Sequence, residues 1–160
     1  MKKVQTLCIV REPQRILLGM KKYGFGVGRW NGFGGKVEDG ESVSAAAARE
    51  LWEEAGIRPL DFAELGIIDF EFESDPKIIE AHIFCVTKFE GEISESNEMK
   101  PQWFGVSEIP FGKMWSDDEY WMSLFLEGKK FRGKFIFDRP SDAEYRSKII
   151  EKNIHEVEEL

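Results

Sequence analysis

Apolar, β-forming residues run from Val4 to Val10 and again from Ile16 to Met20, separated by Arg11-Glu12-Pro13-Gln14. The pattern predicts two strands joined as a hairpin. Ser42 to Ala55 then carries alanines, Leu51 and glutamates with no internal Gly or Pro. This predicts a helix with Ser42 as N-cap and Gly56 as terminator. Phe62–Glu73 and Lys77–Phe89 read as strands around Ser74-Asp75-Pro76, and Trp103–Val106 as a short one. Asp117–Leu126 predicts a second helix that Asp117 or Asp118 could cap, closing at Gly128, and Phe131, Phe135 and Phe137 mark a last strand. From Ser141 to Leu160, Ile149, Ile150, Ile154 and Val157 recur at roughly helical spacing. Residues 139–160 are therefore expected to be a docked C-terminal helix, with a frayed tail as the alternative. The order β-β-α-β-β-β-α-β-α predicts an α+β fold over residues 1–160, in one domain, rather than a doubly wound sheet.

Composition narrows the picture. The chain has 160 residues, 42% hydrophobic and 32% charged, a globular balance without an apolar run long enough to span a bilayer. The net charge of −8 makes backbone binding to a nucleic-acid polymer a poor expectation. Cys8 and Cys85 lie in apolar runs and read as buried small hydrophobes in a reduced, cytoplasmic protein. No secretory signal is read at the N-terminus. Thirteen Phe and five Trp fit either a large-residue core or a stacking pocket.

Six of the fifteen glycines fall between Gly24 and Gly35. A loop this rich in glycine lets backbone approach a ligand closely. It is neither a P-loop nor a dinucleotide fingerprint: Trp30 and Val37 break the first pattern, Arg29 and Val37 the second. His82 and His155 are the only histidines, so Ser-His-Asp chemistry and Cys/His zinc sites lack their parts. His82 reads as a packed or exposed strand residue.

The helix that follows the loop carries the chemistry. At about 100° per residue, Glu50, Glu53 and Glu54 share one face, opposite Ala48, Leu51, Trp52 and Ala55. Like charges at these spacings repel, and Arg49 alone does not neutralise them. Such a face is either solvated or holds a divalent cation. Oxygen-only ligands would favour Mg²⁺ or Mn²⁺, and Glu38, Asp39 and Glu41 add acid just before the helix.

Gly35, Glu41 and Arg49-Glu50-Leu51-Trp52-Glu53-Glu54-Ala55-Gly56-Ile57 match the Nudix box, G-x5-E-x7-R-E-U-x-E-E-x-G-U with U aliphatic, at all nine defined positions over 23 residues. The chain thus resembles the Nudix (MutT-like) hydrolases. The resemblance implies an α/β/α sandwich around a mixed β-sheet, with the box as loop–helix–loop. It also implies cleavage of a nucleoside diphosphate linked to another group, with Mg²⁺ (or Mn²⁺) as cofactor. By position it makes Glu50, Glu53 and Glu54 metal ligands, with Glu54 also positioning or deprotonating water. Gly34 would offer its carbonyl to the metal, and Arg49 and Glu41 would hold the loop on the helix.

Outside the box, Gly28 to Lys36, Phe70-Glu71-Phe72, Asn97-Glu98-Met99 and Met114 to Trp121 resemble the animal-type MutT branch of the family. That branch implies hydrolysis of oxidised purine nucleoside triphosphates (8-oxo-dGTP and 2-hydroxy-dATP are the types) to monophosphate and pyrophosphate. Asn31, Trp115, Asp117 and Asp118 would hold the base. Thr6, Lys21, Phe33, Phe70 and Phe72 would line the pocket, and Glu98 would be a further metal-associated carboxylate. The likeness runs from about Thr6 to Phe137, while the tail from Arg139 departs from it. The residues support the same pocket. Trp115 offers a flat face for a purine, and Asn31 a donor and an acceptor. Adjacent Asp117 and Asp118 should couple, so that one holds a proton and the pair reads two different base edges. Helix capping is the structural alternative for the two aspartates. The expected partner is a small nucleotide bound by a monomer, with neither nucleic-acid polymer nor membrane. Other pyrophosphate-linked nucleotides (alkylated purine nucleotides, nucleotide sugars, dinucleotide polyphosphates) are the alternative substrates, and a non-catalytic nucleotide-sensing domain the alternative class.

Overall fold

Alternation along the first strand sets up a sheet with two covered faces. In the computed structural model, which describes residues 2–139 and 147–160, β1 spans Lys2–Glu12 and β2 Arg15–Lys21. They pair antiparallel with Val10 opposite Leu17, the expected hairpin. Cys8 and Val10 point to one core, which they share with Ala47, Leu51 and Ala55 of helix α1 (Val43–Ala55). Ile9 points to the other, shared with Trp121, Met122 and Phe125 of helix α2 (Asp118–Leu126). The period of two thus sorts consecutive residues into two apolar layers, each roofed by one helix.

Among the described residues the sheet has eight strands and is mixed. β3 (Trp30–Asn31) and β6 (Met99–Gly105) both pair with β2. β5 (Asp75–Glu90) runs parallel to β1 and antiparallel to the bulged β4 (Arg58–Phe72). β7 (Lys130–Phe137) lies parallel to β4 and carries β8 (Ile149–Val157) antiparallel on its far side. The order is β3-β2-β1-β5-β4-β7-β8. This is the α/β/α arrangement around a mixed sheet.

Three expectations are corrected. The terminal segment is strand β8, not a helix; residues 141–146 of the expected helix lie outside the described residues. Ile149 and Ile154 lean on the α2-side core while the backbone completes the ladder of β7. Neither aspartate caps α2 with its side chain: Asp117 sits at the N-cap position in helical geometry, and its Oδ2 accepts from Trp121 Nε1 at 2.9 Å. Trp52, expected on the apolar face of α1, is half exposed at the rim, with the Arg58 guanidinium over its ring.

Candidate active site

Helix α1 starts where Ser42 Oγ accepts from the Ala45 N–H at 3.1 Å and stops at Gly56, whose φ of 73° suits glycine. Those caps fix the face on which the acids stand. Glu50, Glu53, Glu54 and Glu98 line one shallow depression with Tyr23, Ser96 and Asn97. Arg49 ties the group to the loop: it contacts Glu41 at 2.8 Å, Glu50 at 3.0 Å and Glu53 at 3.3 Å, and donates to the Lys36 carbonyl.

The four carboxylates differ in setting. Glu53 is open to solvent, and Glu50 is partly covered, so that burial raises its proton affinity. Glu54 is 3% exposed because the glycine loop lies across it, and Gly34 N–H donates to its Oε1 at 2.8 Å. Burial, followed by a shared hydrogen bond with Glu98, pushes the Glu54 carboxyl up to about 9. Glu98 is held below the usual carboxylate range by that same bond and by Lys21, 3.4 Å away. The buried partner keeps the proton and the rim partner the charge.

These donors fit a hard divalent cation. All are oxygens. The backbone is flush against Glu50, since a Cβ on Gly35 would lie 2.6 Å from its Oε1, and the loop is pressed on β1, since a Cβ on Gly34 would lie 1.7 Å from the Thr6 carbonyl oxygen. Among the described residues no three His, Cys, Asp or Glu side chains are already drawn into a cage. Mutual repulsion and the pull of Arg49 account for that spread.

Beside the acids opens a cavity of ≈ 330 Å³ that Glu54 also lines. Lys21 spans the two, lining the cavity and pairing with Glu98. Trp115, Asn31, Asp117 and Asp118 meet there, as do Thr6, Phe70 and Phe72. Asn31 Oδ1 is fixed by the Gly32 N–H at 2.9 Å. Phe70 and Phe72 stack on Phe137, at 6.2 and 5.7 Å between ring centres. Both aspartates are buried, which raises their proton affinity; Asp118 rises further because the charge of Asp117 adds to burial. Thr6 Oγ1 and Asp118 Oδ2 are buried polar atoms without a hydrogen-bond partner among the described residues, and both belong to residues lining the cavity. Unsatisfied groups in such a place are what a polar ligand would complete.

Phe33 is a correction. It is fully buried in the α1-side core with Cys8, Leu17 and Met99 and does not line the cavity. Its backbone pairs with Cys8 on both sides, which turns the ring inward. Conversely, Phe25, Gly26, Arg29 and Trp121 line the cavity without having been singled out. An aromatic between glycines was a usable signal for Phe25; nothing local marks the burial of Arg29.

Comparison with known proteins bears on the family and the fold. Residues 1–125 match the family model described as NUDIX domain. An oxidized purine nucleoside triphosphate hydrolase of Danio rerio is 47% identical over 158 residues, covering 99% of this chain and 97% of that protein. The Mus musculus protein of the same name is 50% identical over 135 residues, covering 84% and 86%. The zebrafish alignment takes in nearly the whole chain, the tail from Arg139 included, whereas the mouse alignment covers 84% of it. Among solved structures, a MutT protein from Bacillus halodurans superposes with a TM-score of 0.81 at 26% identity, covering 95% of this chain and 97% of that one.

Proposed function

The chain belongs to the NUDIX family, and we propose that it hydrolyses oxidised purine nucleoside triphosphates to the monophosphate and pyrophosphate, keeping damaged bases out of nucleic acid. One observation carries this reading: the cavity that gathers Trp115, Asn31, Asp117 and Asp118 shares Glu54 with the acidic cluster. A base held in the cavity would lay its phosphates over the acids. The names of the zebrafish and mouse relatives support the same substrate class.

Nudix hydrolases generally use a divalent metal, and in this reading it is Mg²⁺, with Mn²⁺ able to substitute. Glu50, Glu53, Glu54 and Glu98, with the Gly34 carbonyl, would hold it. When bound, the ion supplies charge to the phosphate oxygens and acidifies water. The chain's own residues do the rest. Glu54, fixed by the Gly34 N–H, would lose its proton to solvent once that ion's charge lies beside it, and could then take one from the attacking water. Arg49 keeps Glu50 and Glu53 from drifting apart. Trp115 stacks the purine, and Asn31 reads its edge. Asp117 and Asp118 accept from or donate to the base according to which holds the proton, which lets one pocket take an 8-oxoguanine or a 2-hydroxyadenine edge. The protein acts as a monomer of one domain on a small molecule in a reducing cytoplasm, a setting in keeping with its two buried free cysteines.

The test is a pyrophosphate-release screen of purified protein with Mg²⁺ over oxidised, alkylated and unmodified nucleotides. Release from 8-oxo-dGTP or 2-hydroxy-dATP above the unmodified triphosphates is expected. Preference for a nucleotide sugar or a dinucleotide polyphosphate would overturn the substrate assignment.

A further inference from the structure

Arg29 is 4% exposed, a burial that arginine tolerates only when it is well paired. Its backbone is pinned: its N–H donates to the Gly26 carbonyl, and its own carbonyl accepts from the Lys21 N–H at 3.0 Å. Its guanidinium lies 4.8 Å over the Trp115 ring, and Nη1 donates to the Met114 carbonyl at 3.2 Å. The side chain therefore grips both the residue before Trp115 and the ring itself, and it lines the same cavity.

Building on the function proposed above, we propose that Arg29 is a positioning residue of the base cavity: it holds the plane of Trp115 and places a fixed positive charge in the cavity that Asp117 and Asp118 also line, where it favours a carboxylate over a neutral acid. Two properties of arginine are used. Its planar, weakly hydrated cation stacks on an indole where a lysine ammonium does not match the plane. Its charge does not titrate away. For Asp118, burial and Asp117 favour the protonated form and Arg29 opposes them. Among the described residues, the other charged groups lining the cavity are Lys21, engaged with Glu98, together with Lys36 and Glu54. Lys152 of β8 faces Tyr120, one turn away on α2. The fixed charge has a selectivity consequence. A guanine-type edge presents N–H donors and needs an acceptor, so it depends most on the ionised carboxylate.

The test follows the carboxyl ¹³C resonances of Asp117 and Asp118 with pH in the full chain without nucleotide, for wild type, Arg29→Met and Arg29→Lys. Arg29→Met keeps the apolar stem and loses the charge; the titration of the pair is expected to move up by about one pH unit. Arg29→Lys keeps the charge; its titration is expected to stay near wild type, while KM for 8-oxo-dGTP rises several-fold with kcat held. An Arg29→Met titration that superimposes on wild type overturns the inference. So does an unchanged KM in Arg29→Lys, which decides the matter alone if Arg29→Met does not fold. Should wild type turn over no oxidised purine triphosphate, the titration still reads the coupling of Arg29 to Asp118, so the two failures are distinguishable.

Discussion

Glu54 is at once the most buried acid of the cluster and the one whose proton the loop and Glu98 regulate. Replacing it with Gln keeps the shape and the hydrogen bond from Gly34 but removes the proposed base. The expected result is a loss of about 10²-fold or more in kcat with nucleotide affinity retained, measured by turnover and by calorimetry side by side. Undiminished turnover would move the proton-accepting role elsewhere. Asp117→Asn probes the other half of the site. Because the amide cannot ionise, activity on the 8-oxoguanine and 2-hydroxyadenine triphosphates should fall unequally, and equal retention of both would contradict the proton-sharing account. Much of this was legible residue by residue, since the spacing of Gly35, Glu41, Arg49, Glu50, Glu53 and Glu54 survives folding unchanged along one loop and one helix. Phe33 and Arg29 were not. Which way a ring turns out of a glycine loop, and whether a cation is covered, are decided by Cys8, Trp115 and Met114, far off in sequence.

At the scale of elements, local chemistry predicted α1 to within a residue, because Ser42 and Gly56 are strong punctuation with specific hydrogen bonds to make. Ser42→Ala should lower stability by about 1 kcal/mol in urea unfolding, without touching any residue of the cavity. Strand β8 escaped the same reading. It is an edge strand with little buried surface, so its sequence answers to the ladder with β7 and to scattered contacts of Ile149 and Ile154, and their spacing mimics a helix. The short β3 was hidden by the glycines around it. Between β4 and β5, His82 adds a pH dependence. Its Nδ1 meets Glu64 and its Nε2 meets Glu80 at 2.8 Å, and these contacts, Glu64 foremost, raise its proton affinity. With the folded value above the unfolded one, the stabilisation is complete below about pH 6.5 and fades as pH rises through the folded value. The effect should be under about 1 kcal/mol, since the partners are partly solvated. Urea midpoints from pH 6 to 8.5 should show this decline in wild type and lose it in His82→Gln.

Over the whole molecule, two apolar layers hold one mixed sheet rigid while the ligand surfaces gather at one place: the glycine loop, the exposed face of α1, the start of α2 and the segment before β6. Each piece alone is ordinary. The loop is a loop, and an acidic helix face is usually solvated. Their meeting around Glu54 makes them a candidate site, and that meeting was only partly visible beforehand because it depends on strand order. β1 joins β5 in parallel, an arrangement no local pattern announces. A cation that draws the dispersed acids together should also stabilise the fold, so Mg²⁺ is expected to raise the thermal midpoint of wild type by more than that of Glu50→Gln.

The most direct measurement is the rate of pyrophosphate release from 8-oxo-dGTP as Mg²⁺ is titrated into metal-stripped protein, for wild type and for Glu54→Gln. The account predicts no release without the ion, saturable release with it in wild type, and almost none in the variant at any concentration. Release that persists in chelator, or a variant that follows the wild-type curve, would contradict it.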